Sequence, residues 1–210
     1  TSSIYGGNEV MPFSERQTAD SQLTIYAATK KAMESIAHSY SHLWHVPTTV
    51  FRFFTVYGPW GRPDLALFKF VSAILEDRPI DVYNHGKMKR DFTFVSDLVK
   101  AISLLISTPP KSPHEAVDKI PGDSISSVAP YRVVNIGNSD MVELNHFIEA
   151  IEEALGKKAM KNMMDMQKGD VEATWADCSL LQKLTGYTPD TDYRDGISSF
   201  VAWYRDFYNC

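Results

Sequence analysis

The sequence predicts an α/β fold built around a parallel sheet, closed by a helical cap over about the last fifty residues. Three observations carry this. Short β-branched and aromatic runs are bounded by Pro and Gly, as buried strands are. Between them, apolar residues recur at three and four, the period of an amphipathic helix. The two patterns alternate, which makes the helices crossovers between parallel strands.

Taken in order, Thr1-Ser2-Ser3-Ile4-Tyr5 reads as the end of a buried strand that gives way to a loop at Gly6-Gly7. Residues 25–44 place Ala28, Ala32, Met33, Ile36, Ala37, Tyr40 and Leu43 at helical spacing, and Pro47 stops the pattern. TTVFRFFTVYG (48–58) is a strand, 64–76 a helix and 80–83 a short strand. FTFV (92–95) reads as a strand, with Ser96 placed to cap a helix that runs to about Ser107. The Pro- and Ser-rich stretch 108–130 reads as a long surface loop. A strand at 131–137, a helix at 142–155 stopped by Gly156, and helices at 177–185 and 193–208 complete the chain.

Composition narrows the function. At 210 residues, 44% hydrophobic and 22% charged, the chain can bury a sizeable core. A net charge of −5 argues against general affinity for nucleic acid or an anionic membrane. No apolar run approaches the roughly 18 residues of a membrane span, and no signal peptide is evident. Two cysteines, Cys178 and Cys210, make neither a disulfide framework nor a metal site, so a reducing cytoplasm is the expected location.

The first candidate for chemistry is Tyr26-Ala-Ala-Thr-Lys30. Residues four apart share a helix face, so the Lys30 ammonium can lie near the Tyr26 phenol. A phenol is a poor base near neutrality, and a fixed cation favours its phenolate form. The spacing alone is weak evidence, because ten tyrosines yield about one such pair by chance. Tyr83-Asn-His-Gly-Lys87 is that decoy, and its Asn-His-Gly run favours a turn. His38 and His42, four apart on the helix, have a metal-binding spacing without a third ligand, so a polar helix face is the expected reading. Met160, Met163, Met164 and Met166 read as packing at a domain junction.

Context strengthens the Tyr26 pair. Thr/Ser–hydroxyl–x–Ile–Tyr–Gly at 1–6, Tyr-x-x-x-Lys at 26–30, FRFFTVYGPWGRPD at 51–64, KMKRDFTFVSD at 87–97 and KGDVEATWAD at 168–177 occur in that order. Together they resemble the extended short-chain dehydrogenase/reductases, specifically the nucleotide-sugar epimerase/dehydratase branch. Within it, RFFTVYGPWGRPDLALFKF and YNHGKMKRDFTFVSDLVKAI resemble the UDP-glucuronate 4-epimerases. The resemblance covers the chain except the 108–130 loop.

The resemblance implies a Rossmann-type parallel sheet with a smaller, mainly helical substrate domain. Residues 1–58 with 92–155 would form the dinucleotide-side unit, and 59–91 with 156–210 the UDP-sugar unit. It implies NAD as cofactor and interconversion of UDP-glucuronate and UDP-galacturonate by oxidation at C4, rotation of the 4-keto sugar and reduction from the other face. Tyr26 would be the catalytic base, Lys30 would hold the nicotinamide ribose, and Thr1 would assist proton transfer from the sugar 4-hydroxyl. The related dehydratases follow that Thr with Asp-Glu; here Ser2-Ser3 stand in that place, which argues against dehydration.

Arg62 would recognise the C6 carboxylate, since a guanidinium on a Gly/Pro-shaped loop can grip a carboxylate with two bonds. The competing reading is a surface pair with Asp64. Thr55 would contact the sugar and Arg90 the diphosphate, against the alternative of a solvated basic loop. Tyr83 and Val82 would flank the uracil. Asp170 would lie near the nucleotide ribose, with Gln167 a weaker candidate beside Lys168.

The family begins with a strand, a Gly-x-x-Gly-x-x-Gly turn and a helix that seats the pyrophosphate. No such motif occurs in this sequence. By the family pattern roughly 120 residues would precede Thr1. The chain is therefore expected to be the C-terminal portion of an epimerase, weak or lacking in NAD binding and inactive alone. A bare edge at 1–5 would then invite a non-native or swapped homo-oligomer. Two alternatives stay open: a non-catalytic UDP-sugar-binding or assembly remnant, and an epimerase for another UDP-hexose.

Overall fold

A computed structural model describes residues 1–112, 120–167 and 169–210. The elements alternate as expected, with three corrections that bear on the site. First, Ser2–Tyr5 is a 3-10 helix and not a strand, with the Thr1 side chain accepting the Ser3 N–H at its start. No sheet edge exists there, so the expected pairing at 1–5 has no basis. Second, the apolar run after α1 (Ile25–Trp44) divides into β1 (Thr48–Phe53) and β2 (Thr55–Tyr57). Third, after α2 (Ala66–Leu75) and β3 (Ile80–Tyr83), β4 (Lys89–Phe94) leads directly into α3 (Val95–Ile106). Ser96 thus lies inside the helix and makes no capping bond.

β5 (Tyr131–Ile136) is buried throughout its length. The predicted helix at 142–155 is β6 (Met141–Glu143) followed by α4 (Leu144–Leu155), which ends at Gly156 in the left-handed conformation. β7 (Lys161–Met164), α5 (Ser179–Thr185) and α6 (Tyr193–Tyr208) follow, so the cap contains a strand as well as helices. Met160, Met163 and Met166 on and beside β7 are exposed, contrary to the packing expected of them. Residues 113–119 of the 108–130 loop lie outside the described residues. The following part is no open loop: Asp123 forks Arg132 on β5 at 2.9 Å, and both side chains are buried.

The division at Phe54 organises the molecule. β1 pairs in parallel with β5, whereas β2 pairs in parallel with β4, which pairs antiparallel with β6. β3 and β7 form a third, parallel pair. Two clusters of buried residues result. One joins α2, α4 and α6 with Tyr57, Val82 and Phe92; the other joins Tyr5, Phe13, Phe54, α3 and α5 with Val134 and Ile136 of β5. Segment 170–178 crosses between them, bridging Lys89 through Ala173 and Phe13 through Ala176. Among the described residues no helix is long and apolar enough to cross a membrane.

Candidate active site

Two cavities adjoin where β2 meets the segment before α1, the loop after β2 and the loop after β7. The larger, about 750 Å³, is bordered by Thr1, Ser2, Ser3, Tyr26 and Thr174. The smaller, about 260 Å³, is bordered by Tyr83, Met88, Phe92 and Phe147. Thr55, Val56, Arg62, Leu65, Arg90 and Asp170 border both. The shift of sheet at Phe54 is what delivers Thr55 to this junction. Arg62 follows from Gly58, whose φ of +135° only glycine adopts readily. A Cβ there would also come within 2.7 Å of Val95 Cγ1.

Tyr26 lies in the first turn of α1, half-exposed toward the larger cavity. The Lys30 ammonium stands 5.5 Å from its ring centroid, so the two side chains face each other; Lys30 borders neither cavity. The Thr1 hydroxyl donates to Ser3 Oγ at 3.2 Å and accepts the Ser3 N–H, which turns it along the same cavity wall. In the decoy, a 3-10 turn with positive φ at Asn84 and His85 separates Tyr83 from Lys87.

Arg62 makes a fork with Asp64, Nε to Oδ1 at 3.0 Å and Nη2 to Oδ2 at 2.5 Å, with both side chains largely exposed. This is the competing surface pair, formed at the cavity margin. Arg90 is no solvated basic residue. Its guanidinium is mostly buried and donates to Asp170 Oδ1 at 2.7 Å and to the Lys89 and Glu172 carbonyls. Burial lowers its pKa and Asp170 partly offsets that. Val82 is fully buried in the core, so it cannot flank a ligand ring. Gln167 is exposed and borders neither cavity, and Lys168 lies outside the described residues. His38 and His42 bond Ser126 Oγ and the Val128 carbonyl, both at 2.8 Å.

Several polar residues beneath the site escape a reading by motif. Arg52 on β1 forks Glu34 on α1 with two 2.8 Å bonds, both side chains buried. Asp91 is fully buried and accepts the N–H groups of Asn138, Ser139 and Ala176, at 2.7–3.1 Å. Burial pushes its carboxyl up to about 6 even so. Glu15 accepts the Asn135 N–H at 2.7 Å, and burial pushes it up to about 7. Thr174 Oγ1, at the wall of the larger cavity, is buried without a partner among the described residues. A charge inside the aromatic run FRFF was the available signal for Arg52.

The family model for the NAD dependent epimerase/dehydratase family matches residues 1–137. The chain belongs to this family. It is 53% identical over 208 residues to a probable UDP-glucuronate 4-epimerase of Rhizobium meliloti, covering 99% of this chain and 61% of that protein. Protein CapI of Staphylococcus aureus is 53% identical over 210 residues, with 99% and 62% covered. A crystal structure of UDP-glucuronic acid 4-epimerase from Bacillus cereus, in complex with UDP-glucuronic acid and NAD, superposes with a TM-score of 0.83 at 29% identity. That match covers 99% of this chain and 60% of the other. The α/β architecture with parallel strands is therefore the family's, and the chain spans about three fifths of these relatives' lengths.

Proposed function

We propose that this chain is the substrate-side portion of a UDP-glucuronate 4-epimerase, which in the complete enzyme interconverts UDP-glucuronate and UDP-galacturonate and which alone is inactive. The observation that supports it is the convergence of Thr1, Tyr26, Thr55, Arg62, Arg90 and Asp170 on two cavities with a shared wall. NAD, when bound, supplies the hydride acceptor and donor for sugar C4. The residues present fit its nicotinamide-ribose end: Tyr26 and Lys30 face each other on α1, and Thr174 offers a hydroxyl that has no partner among the described residues. The sequence supplies no Gly-rich turn for the pyrophosphate, so binding by this chain alone is weak.

In this reading Tyr26 Oη takes the proton of the sugar 4-hydroxyl and returns it, with the Thr1 hydroxyl as relay and the Lys30 ammonium beside the Tyr26 ring. Thr55 holds the sugar. Arg62 already shows, on Asp64, the two-bond grip it would offer a C6 carboxylate; a solvent-screened exposed pair holds weakly and yields readily to a better-placed partner. Arg90 meets the diphosphate, Tyr83 the uracil and Asp170 the ribose.

The division into 1–58 with 92–155 and 59–91 with 156–210 belongs to the same reading, though α4 packs with the second unit's core and α5 with the first's. A cytoplasmic location agrees with Cys178 and Cys210 both being free. The exposed apolar residues of α1 support self-association of the isolated chain, in a form unlike a native dimer.

The test is Arg62→Ala in the full-length enzyme. It should raise KM for UDP-glucuronate at least tenfold and leave turnover of a neutral UDP-hexose unchanged. Equal loss on both substrates removes the carboxylate assignment. UDP binding without any NAD-dependent turnover by the unmodified full-length protein would favour a non-catalytic sugar-nucleotide module.

A further inference from the structure

The helix that carries Tyr26 is held through few contacts. Its buried residues are Ala27, Glu34 and Ser41, seven apart and therefore along one narrow line of a 20-residue helix. His38, His42 and the bond from Tyr131 Oη to the Glu34 carbonyl, 3.3 Å, tie its middle and C-terminal half. Toward the N-terminal end, among the described residues, a side-chain tie is the Lys31–Asp20 pair at 3.5 Å, with Asp20 largely exposed, and at the middle is the buried Glu34–Arg52 fork. A pair at that distance with one partner exposed constrains little. A two-bond fork between planar groups fixes both distance and rotation.

Arg52 reaches further than Glu34. Its guanidinium lies 4.8 Å from the ring centroid of Tyr5, the last residue of the 3-10 turn that begins at Thr1. Tyr5 is fully buried, stacks on Phe13 with ring centroids 4.6 Å apart, and donates to Asn135 Oδ1 on β5 at 2.7 Å. Three residues on from Arg52, past the break at Phe54, the chain reaches Thr55 on β2. The Arg52 side chain thus sits against the helix of Tyr26 and the turn of Thr1. Its remaining nitrogen, Nη1, is buried without a partner among the described residues. An incompletely satisfied buried ion pair is a poor source of stability, and an apolar pair of similar volume is often as good or better. What the pair does supply is geometry.

We propose that Arg52 is a positioning residue for the proton transfer: through Glu34 it sets the rotation of α1 and so the aim of Tyr26, and through Tyr5 it sets the turn that carries Thr1. This rests on the reading of Tyr26 as the base. Tyr26 precedes Glu34 by eight residues, about 80° around the helix and about 12 Å along it. A rotation of about 10° at a radius near 6 Å displaces a side chain by about 1 Å. A misplacement of about 1 Å can cost about a hundredfold in rate.

The experiment compares Arg52→Lys, the double variant Arg52→Met with Glu34→Leu, and Tyr26→Phe in the full-length enzyme, measuring kcat, KM and melting temperature. The double variant keeps the volume filled, so its fold should persist, with KM for UDP-glucuronate unchanged and kcat down at least tenfold. Arg52→Lys retains a donor to Glu34 and should recover part of that loss. In the 210-residue chain itself, amide exchange across 25–30 should rise at least fivefold in the double variant. A double variant with kcat within twofold of the parent overturns the proposal. So does a loss that comes with collapse of the melting temperature or with KM rising in step, because that is a structural role alone. Turnover surviving in Tyr26→Phe would instead remove the reading of Tyr26 as base, and this inference with it.

Discussion

Glu15 sets a pH dependence that can be read directly. Its carboxyl is buried, with its pKa raised from an ordinary 4.5 to about 7. Between those values the folded chain holds a proton that the unfolded chain releases, so stability falls as pH rises through the window. The penalty is complete above about pH 7 and amounts to about 3 kcal/mol at most. Asp91, raised to about 6, acts in the same direction over a lower window. Glu15→Gln keeps an oxygen to accept the Asn135 N–H and removes the charge. It should raise the melting temperature at pH 8 by several degrees and leave it nearly unchanged at pH 5, as thermal unfolding at the two pH values would reveal. The Tyr-x-x-x-Lys spacing and the family resemblance singled out Tyr26, Thr55, Arg62 and Arg90, and all four border the cavities. Glu15, Asp91 and the Glu34–Arg52 pair were not legible, because each is completed by a partner distant in the chain. Val82 was misjudged for a related reason: a residue adjacent to a pocket residue on a strand points to the opposite face.

At the scale of elements, helix starts give the sharpest comparison. Thr24 caps α1, its Oγ1 accepting the Ala27 N–H at 3.1 Å, two residues before the candidate base. Thr24→Ala should therefore cost about 1 kcal/mol. Ser96 has the composition of a cap and lies one residue inside α3, where it makes no capping bond. Ser96→Ala should change stability by less than about 0.5 kcal/mol, so paired urea titrations distinguish the two roles. The long helices were legible nearly to the residue because their period repeats over several turns. Ser2–Tyr5 was not, since four residues are too few to show a period. The break at Phe54 was equally hidden. Its N–H still bonds the Ile136 carbonyl of the β5 sheet, and the next residue already pairs with β4, so the run is apolar throughout while its partners change.

At the scale of the whole molecule, α1 is the element least satisfied by the chain around it. Ile25, Met33, Ile36, Tyr40, Leu43 and Trp44 are all more than half exposed along a 20-residue helix. The helix is amphipathic in sequence, yet its apolar stripe faces outward while the line through Ala27, Glu34 and Ser41 faces the core. A contiguous apolar surface of this extent drives association in water. In the isolated chain the available partner at high concentration is a second copy of the same face. Sedimentation velocity should show a weight-average mass that increases with loading, and Ile36→Lys with Leu43→Lys should return it to the monomer value. Both sites are exposed, so the double variant should keep its melting temperature within a few degrees. A concentration-independent monomer for the parent chain would mean that Met33, Tyr40 and Trp44 shield one another well enough to leave the face inert. Calorimetry on the same samples should detect no micromolar NAD binding by the parent or the variant, because neither supplies the Gly-rich turn that holds the pyrophosphate. Micromolar NAD binding would place the phosphates elsewhere on this chain and overturn the reading of it as the substrate side alone.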